Sequence, residues 1–211
     1  MTKTVRSWLH VENGLPHLET ERMQLRIARA GEAGKIVRYL IRNRAHLQPW
    51  EPKRDDFYFT EAAWIGGPER DQKEAQTGIA YRFRMLLKPG ADPKAEVNFN
   101  CPTSEYIGTI SLRNITPFPG YNATLGYSLD HSVEGRGLMI EGVRSVLRFA
   151  FEHLNLRRVE ACFMPANVRS EKLLLGLGFQ VEGLLRSSLE VNGRWEDHCI
   201  SSLINQNWRR S

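Results

Sequence analysis

Cysteine is scarce in this chain of 211 residues: Cys101, Cys162 and Cys199 stand far apart and are odd in number. That excludes a disulfide framework and points to a reducing compartment, the cytoplasm. No apolar run reaches the length of a membrane-spanning helix, so no membrane partner is expected. The opening stretch MTKTVRSWLHVENG lacks the apolar core of a secretory signal. The 6 histidines show no paired ligand spacing, so no metal is expected. No glycine-rich turn ends in Gly-Lys-Ser/Thr, which excludes a P-loop. Internal repeats and low-complexity stretches are also missing.

What is present is an ordinary globular composition, 41% hydrophobic with a formal net charge of +5. The length suits one domain with a sizeable core. Residues 1–18 are expected to be an N-terminal leader and 19–211 a single domain. The basic balance favours partners that carry negative charge, such as coenzyme phosphates or a surface rich in nucleic acid. A shift this modest is also ordinary solubility charge, and direct nucleic-acid binding is not expected.

The chain is organised around residues 125–151. Leu125, Tyr127 and Leu129 alternate as one face of a strand. Gly135 and Gly137 follow, and Met139, Val143, Val146, Leu147, Ala150 and Leu154 then form one apolar stripe, which predicts a helix over about 136–153. A glycine turn ahead of a helix leaves backbone N–H groups free at the positive end of the dipole, a ready phosphate site. Ile140 stands where a dinucleotide fingerprint would want glycine.

Around this stretch, the pattern predicts a strand at MQLRIA from Met23 and a helix over 31–44 with Ile36, Val37, Leu40 and Ile41 inward. A helix opened by Thr60 should break or kink at Gly66-Gly67-Pro68. Strands are predicted at 79–87, from Tyr106 to Ile115, at 122–130 and at 157–164. The stretch 88–105 reads as a long connection. A short helix from Asn167 ends at Gly178, and two last strands flank an Asn192-Gly193 hairpin turn. The fold class expected is α/β (α+β), a mixed, mostly antiparallel sheet flanked by helices.

The glycine turn, Glu134-Gly135-Arg136-Gly137-Leu138-Met139, resembles the pyrophosphate turn of the GNAT family of N-acetyltransferases, which bind acetyl-coenzyme A. Asn167-x-x-Ser170 followed by Leu177-Gly178-Phe179 resembles that family's coenzyme helix. Asn43-Arg44, Leu47 and Pro49-Trp50-Glu51-Pro52 resemble the substrate-side helix and loop of its RimJ/RimL branch, the N-terminal acetyltransferases of ribosomal proteins. Leu125-Gly126-Tyr127-Ser128 and Trp195-x-Asp197-His198 resemble the RimJ type. The likeness spans about residues 19–208. It implies the GNAT fold, acetyl-CoA as co-substrate without metal, and a protein N-terminus as acceptor. The chain is expected to be a monomer or a homodimer.

The resemblance also implies site residues. Leu129, Glu134, Gly135, Arg136, Gly137, Leu138, Met139, Asn167 and Ser170 would contact the coenzyme, and Asn43, Trp50, Glu51 and Tyr127 the acceptor. Ser170 matches the acid proposed for the RimL type, which protonates the departing thiolate; its alternative is a packing or capping role. Asn167 would bond the pantetheine amide or cap its helix. Glu134 departs from the family's Gln or Arg, and Leu174 occupies the slot where many members carry an acidic Tyr.

Amine acetylation needs a neutral amine and a stabilised oxyanion. An α-amino group, with a pKa of about 7.7–8, is partly neutral near pH 7, unlike lysine at about 10.4, so a weak base suffices. Glu51 is the candidate base or amine anchor, against a surface carboxylate in a proline turn. A backbone N–H of strand 125–129 would bind the oxyanion. Trp50 and Tyr127 read more often as core than as channel lining, Glu141 as a favourable charge in the helix's opening turns, and Cys162 as a small core residue. Asp197 and His198 are adjacent on a strand and so face opposite ways, which leaves His198 only as a lone relay candidate. The expected function is direct acetyl transfer from acetyl-CoA to a protein α-amino group. The alternatives are acetylation of a small amine and a non-catalytic ribosome- or RNA-binding role.

Overall fold

The structure, a computed structural model, describes residues 8–91 and 104–210. The greater part of the expected 88–105 connection, and Cys101 within it, lies outside the described residues.

Among the described residues, nine strands form one sheet in the order β1-β2-β3-β4-β5-β6-β7-β9-β8. They are β1 (Leu9–Glu12), β2 (Leu15–Glu19), β3 (Met23–Ile27), β4 (Tyr81–Leu87), β5 (Gly108–Thr116), β6 (Asn122–Leu129), β7 (Arg158–Phe163), β8 (Gln180–Val191) and β9 (Arg194–Ile204). Every neighbouring pair is antiparallel except β6 and β7, which run parallel. Residues 8–18 are therefore not a detached leader. Asn13 and Gly14, both at positive φ (52° and 77°), turn β1 back onto β2 as a hairpin at the sheet edge.

Alternation gives the sheet two faces. Leu25, Phe83, Ile110, Leu125 and Val159 lie on the face packed by α4 (Leu138–Arg148), which runs on as one π-helical turn to His153. Gly142 lets this helix approach closely, since a Cβ there would sit 2.8 Å from Ile110 Cδ1. The helix α5 (Val168–Gly176) covers the same face at β7 and buries Leu174.

The other face carries a polar row, because Arg26 pairs with Arg84, Arg84 with Thr109 and Thr109 with Ser128. Helices α1 (Ala33–Leu47) and α3 (Gly67–Gln76) cover it and neutralise its charges: Arg26 Nη1 lies 2.7 Å from Glu32 Oε2, and Arg84 Nη2 lies 3.0 Å from Asp71 Oδ2. Buried charge is tolerated because it is paired. The short α2 (Glu61–Trp64) is capped by Thr60, and the chain breaks at Gly66 (φ 74°) before α3, as the Gly-Gly-Pro signal requires. Ile41, expected inward on α1, is exposed; Tyr39, Asn43 and Leu47 take the buried stripe with Ile36 and Val37. No helix among the described residues is long and apolar enough to cross a membrane.

Candidate active site

The parallel pair β6–β7 is short. Its register holds only Asn122 with Arg158, Ala123 with Val159 and Thr124 with Glu160, although β6 continues to Leu129 and β7 to Phe163. Beyond Thr124 the sheet splays open. Asp130 N–H donates to the Ile107 carbonyl, on the β5 side. Backbone polar groups alternate along a strand, so residues 126 and 128 also face β5. Tyr127 and Leu129 therefore turn their N–H groups toward the opening. Leu129, expected to meet the coenzyme, offers its backbone N–H to the opening.

On the α4–α5 face of the opening, the Tyr127 hydroxyl lies 2.6 Å from Ser170 Oγ. Burial pushes the Tyr127 pKa up to about 12, against the opposing effect of the Ser170 bond. Asn167 caps α5 by accepting from Ser170 N–H at 3.1 Å, which occupies its Oδ1. Leu174, in the slot where the family's tyrosine would fall, is buried in the core.

The phosphate turn precedes α4. Asp130 caps a short 3-10 turn (His131–Val133), and Gly135 and Gly137 each take φ 73°, which other residues adopt only under strain. Leu138 and Met139 are buried, so only their backbone can serve a ligand. Glu134 is turned aside: its carboxylate pairs with Arg169 of α5 and lies 3.2 Å from His46 Nε2. The Arg136 carbonyl accepts from Arg22 Nη1 at 2.9 Å, and Glu141 from Arg22 Nε at 2.7 Å.

On the opposite face of β6, Tyr39 donates to Ser128 Oγ at 2.9 Å. Glu51 follows α1 at the end of the 3-10 turn Gln48–Trp50, and its carbonyl accepts from Asn192 N–H at the β8–β9 hairpin tip. Burial pushes its carboxyl pKa up, and the Arg54 charge opposes this. Its negative charge is felt by the Tyr39 hydroxyl, so the two share one electrostatic environment. Trp50 is part exposed beside it, at 38%.

Asn43 lies elsewhere than expected. It is fully buried, donates to the Tyr39 carbonyl and to Asp130, and accepts from His131 N–H. With its polar atoms spent, it braces α1 against the end of β6 rather than meeting an acceptor. Asp197 accepts from Ser187 N–H and steadies a β-bulge, while His198 is buried against Ser188 Oγ and the Glu196 carbonyl. Cys162 is exposed rather than core, beyond the last β6–β7 pair where the sheet opens. Desolvation and the nearby Glu160 and Cys199 push its thiol pKa up, so it is a poor nucleophile.

Residues 22–180 match the family described as acetyltransferase (GNAT) domain. The chain belongs to the GNAT acetyltransferase family. It is 29% identical over 191 residues to the [Ribosomal protein uS5]-alanine N-acetyltransferase of Escherichia coli (strain K12), covering 90% of this chain and 92% of that one. Among solved structures, it is similar to the ribosomal-protein-S5-alanine acetyltransferase of Vibrio fischeri, with a TM-score of 0.81 and 35% identity over 92% of this chain and 99% of the other. RimJ of Mycobacterium smegmatis, solved in complex with CoA-disulfide, gives a TM-score of 0.76 at 27% identity over 90% and 85%.

For this GNAT chain, the sequence reading missed Tyr39, Ser128, Arg22 and Arg169. Ser128 was one step from Tyr127 on an alternating strand, so its opposite orientation was available from periodicity. Arg22 and Glu141 are 119 positions apart, and no local signal joins them.

Proposed function

We propose that this GNAT enzyme transfers the acetyl group of acetyl-CoA to the N-terminal α-amino group of a protein, a ribosomal protein in the cytoplasm. The observation that carries the reading is the splay between β6 and β7, with a hydroxyl pair on each face of β6. The acceptor class is supported by the names of the Escherichia coli and Vibrio fischeri relatives, and the coenzyme by the Mycobacterium smegmatis complex.

The coenzyme pyrophosphate would sit on the N–H groups of Gly135 to Met139, at the positive end of α4. The pantetheine arm would run through the splay along β6, taking the place of the missing ladder partner. Tyr127 or Leu129 N–H would then bond the thioester oxygen and hold the oxyanion of the tetrahedral intermediate. The acceptor would enter from the α1 face, where the half-buried Glu51 carboxylate attracts an ammonium and takes its proton. Attack forms the C–N bond, the nitrogen gives its remaining extra proton to water, and the C–S bond breaks to expel coenzyme thiolate directly, with no covalent enzyme intermediate.

The Tyr127–Ser170 pair acts on that thiolate, and the magnitudes decide how. A tyrosine at about 12 facing a thiolate with a conjugate-acid pKa of about 8.5 would give up its proton only uphill, by roughly 5 kcal/mol. The pair therefore stabilises the thiolate by donating a hydrogen bond through Ser170 rather than by full proton transfer. Thiol release from acetyl-CoA, assayed with peptides bearing free or blocked N-termini and with small amines, tests the reading. Turnover with free N-termini alone is expected; turnover with small amines alone would overturn the acceptor assignment.

A further inference from the structure

The phosphate turn contains a peptide whose orientation the backbone alone does not fix, because it leads into a glycine, Gly137, at φ 73°. Inverting the plane between Arg136 and Gly137 requires a large change in the φ of Gly137, and glycine populates both signs of φ. In one orientation the turn offers an N–H to an anion; in the other it offers a carbonyl oxygen, which repels one. Something must choose between them.

Arg22, immediately before β3, makes that choice. Its backbone N–H donates to Glu141 Oε1 at 2.9 Å and its Nε to Glu141 Oε2 at 2.7 Å, so both carboxylate oxygens are engaged. With the side chain held this way, Nη1 reaches the Arg136 carbonyl at 2.9 Å. The C=O and N–H of a trans peptide point in opposite directions. A carbonyl drawn toward Arg22 therefore directs the Gly137 N–H away from it. Glu141 belongs to α4 itself, and its own N–H donates to the Gly137 carbonyl at 3.1 Å, so the clamp holds the peptides on both sides of Gly137. Nη2 also lies beside Gly137, 3.6 Å from where a Cβ would stand.

We propose that Arg22, held by Glu141, is a positioning residue that aims the Gly137 N–H at the coenzyme pyrophosphate. It rests on the reading of the turn as the coenzyme site. Arg22 acts without contacting the reacting atoms, so its loss should weaken capture of the pyrophosphate and leave the chemical step alone.

The test compares acetyl-CoA with S-acetyl-pantetheine, which carries the same thioester but no pyrophosphate. Arg22→Gln should raise the KM for acetyl-CoA about tenfold or more, the fold-change expected from losing a hydrogen bond made by a charged group. Its kcat should stay within about twofold, and kcat/KM for S-acetyl-pantetheine should not move. Arg22→Lys, which keeps a cation beside Glu141, and Glu141→Gln, which keeps an acceptor for Arg22, should show the same split at smaller size. An unchanged KM for acetyl-CoA in Arg22→Gln would overturn the proposal. So would an equal loss with both thioesters across all three variants, which is the mark of a general packing role. A wild-type enzyme that prefers neither thioester would instead overturn the coenzyme reading beneath it.

Discussion

Tyr127 and Ser170 join their hydroxyls at 2.6 Å across the opening in the sheet, while the next residue on the strand, Ser128, receives a bond from Tyr39 on the opposite face. Strand alternation thus gives β6 one hydroxyl pair toward α5 and another toward α1. Direct transfer needs this separation, because the leaving thiolate and the incoming amine require opposite help: a donor for one and a proton acceptor for the other.

Ser170→Ala and Tyr127→Phe should each lower kcat by about ten- to a hundredfold, the range for a hydrogen bond to a charged group. The coenzyme KM should change little. The double variant should lose much less than the product of the two, because Tyr127 works through Ser170. A full steady-state cycle checks this, and strict multiplicativity would break the pairing.

As the proposed base, Glu51 should set the acid limb of the pH profile. Burial raises its pKa above the ordinary value of about 4.3, and the ionised form is the one that attracts and deprotonates the amine. Activity should therefore fall as pH drops through a pKa higher than that of a free glutamate. Glu51→Gln should lower kcat/KM and remove this limb. Arg54→Ala, which deletes the opposing positive charge, should shift the limb further upward. Profiles of kcat/KM against pH for the three proteins would show it, and identical limbs would remove Glu51 from the proton path.

Glu134 departs from the family pattern, and its neighbours offset it. Arg169 of α5 and His46 of α1 both pair with its carboxylate. Glu134→Gln should free the Arg169 guanidinium for the coenzyme phosphates and lower the acetyl-CoA KM. Arg169→Ala should leave Glu134 uncompensated and raise it. Arg169 is 77% exposed at its side chain, so both effects should be a few-fold and shrink with added salt. Initial rates across a salt series would show whether the two variants move in opposite directions.

Much of this was legible because it is local. Alternation at Leu125, Tyr127 and Leu129, the two turn glycines and the stripe from Met139 placed the central strand, turn and helix. The break at Gly66 followed from the same turn chemistry. The hairpin of β1 and β2 carried an Asn13-Gly14 signal like that of Asn192-Gly193, yet strands of four and five residues with mixed polarity hid it. Asn43 was misplaced because a polar residue on a helix looks alike whether it faces a substrate or a buried carboxylate. Only the fold brings Asp130 within 2.8 Å of it.

Asp130 joins the end of β6 to α1, and its removal should cost stability before it touches chemistry. The carboxylate is fully buried and accepts from Arg42 Nε at 2.6 Å, Asn43 Nδ2 at 2.8 Å and Ser132 N–H at 3.0 Å. Burial alone would raise its pKa, but the bonds from Ser132, Asn43 and Arg42 outweigh burial and leave it lowered. A depressed native pKa contributes stability that is fully present above the unfolded value of about 3.9 and is lost as pH falls through the lower native one. Asp130→Asn removes the buried charge that accepts from Arg42, Asn43 and Ser132 and should cost about 3 kcal/mol near neutral pH, or roughly 6–12 °C in Tm for a chain of this size. The gap between wild type and variant should narrow as pH is lowered below about 4, since the wild-type advantage resides in the ionised form. Thermal unfolding of both proteins from neutral to acid pH measures this gap. A constant difference at every pH would assign Asp130 a packing role and remove the charge from the account of how α1 is held over the site.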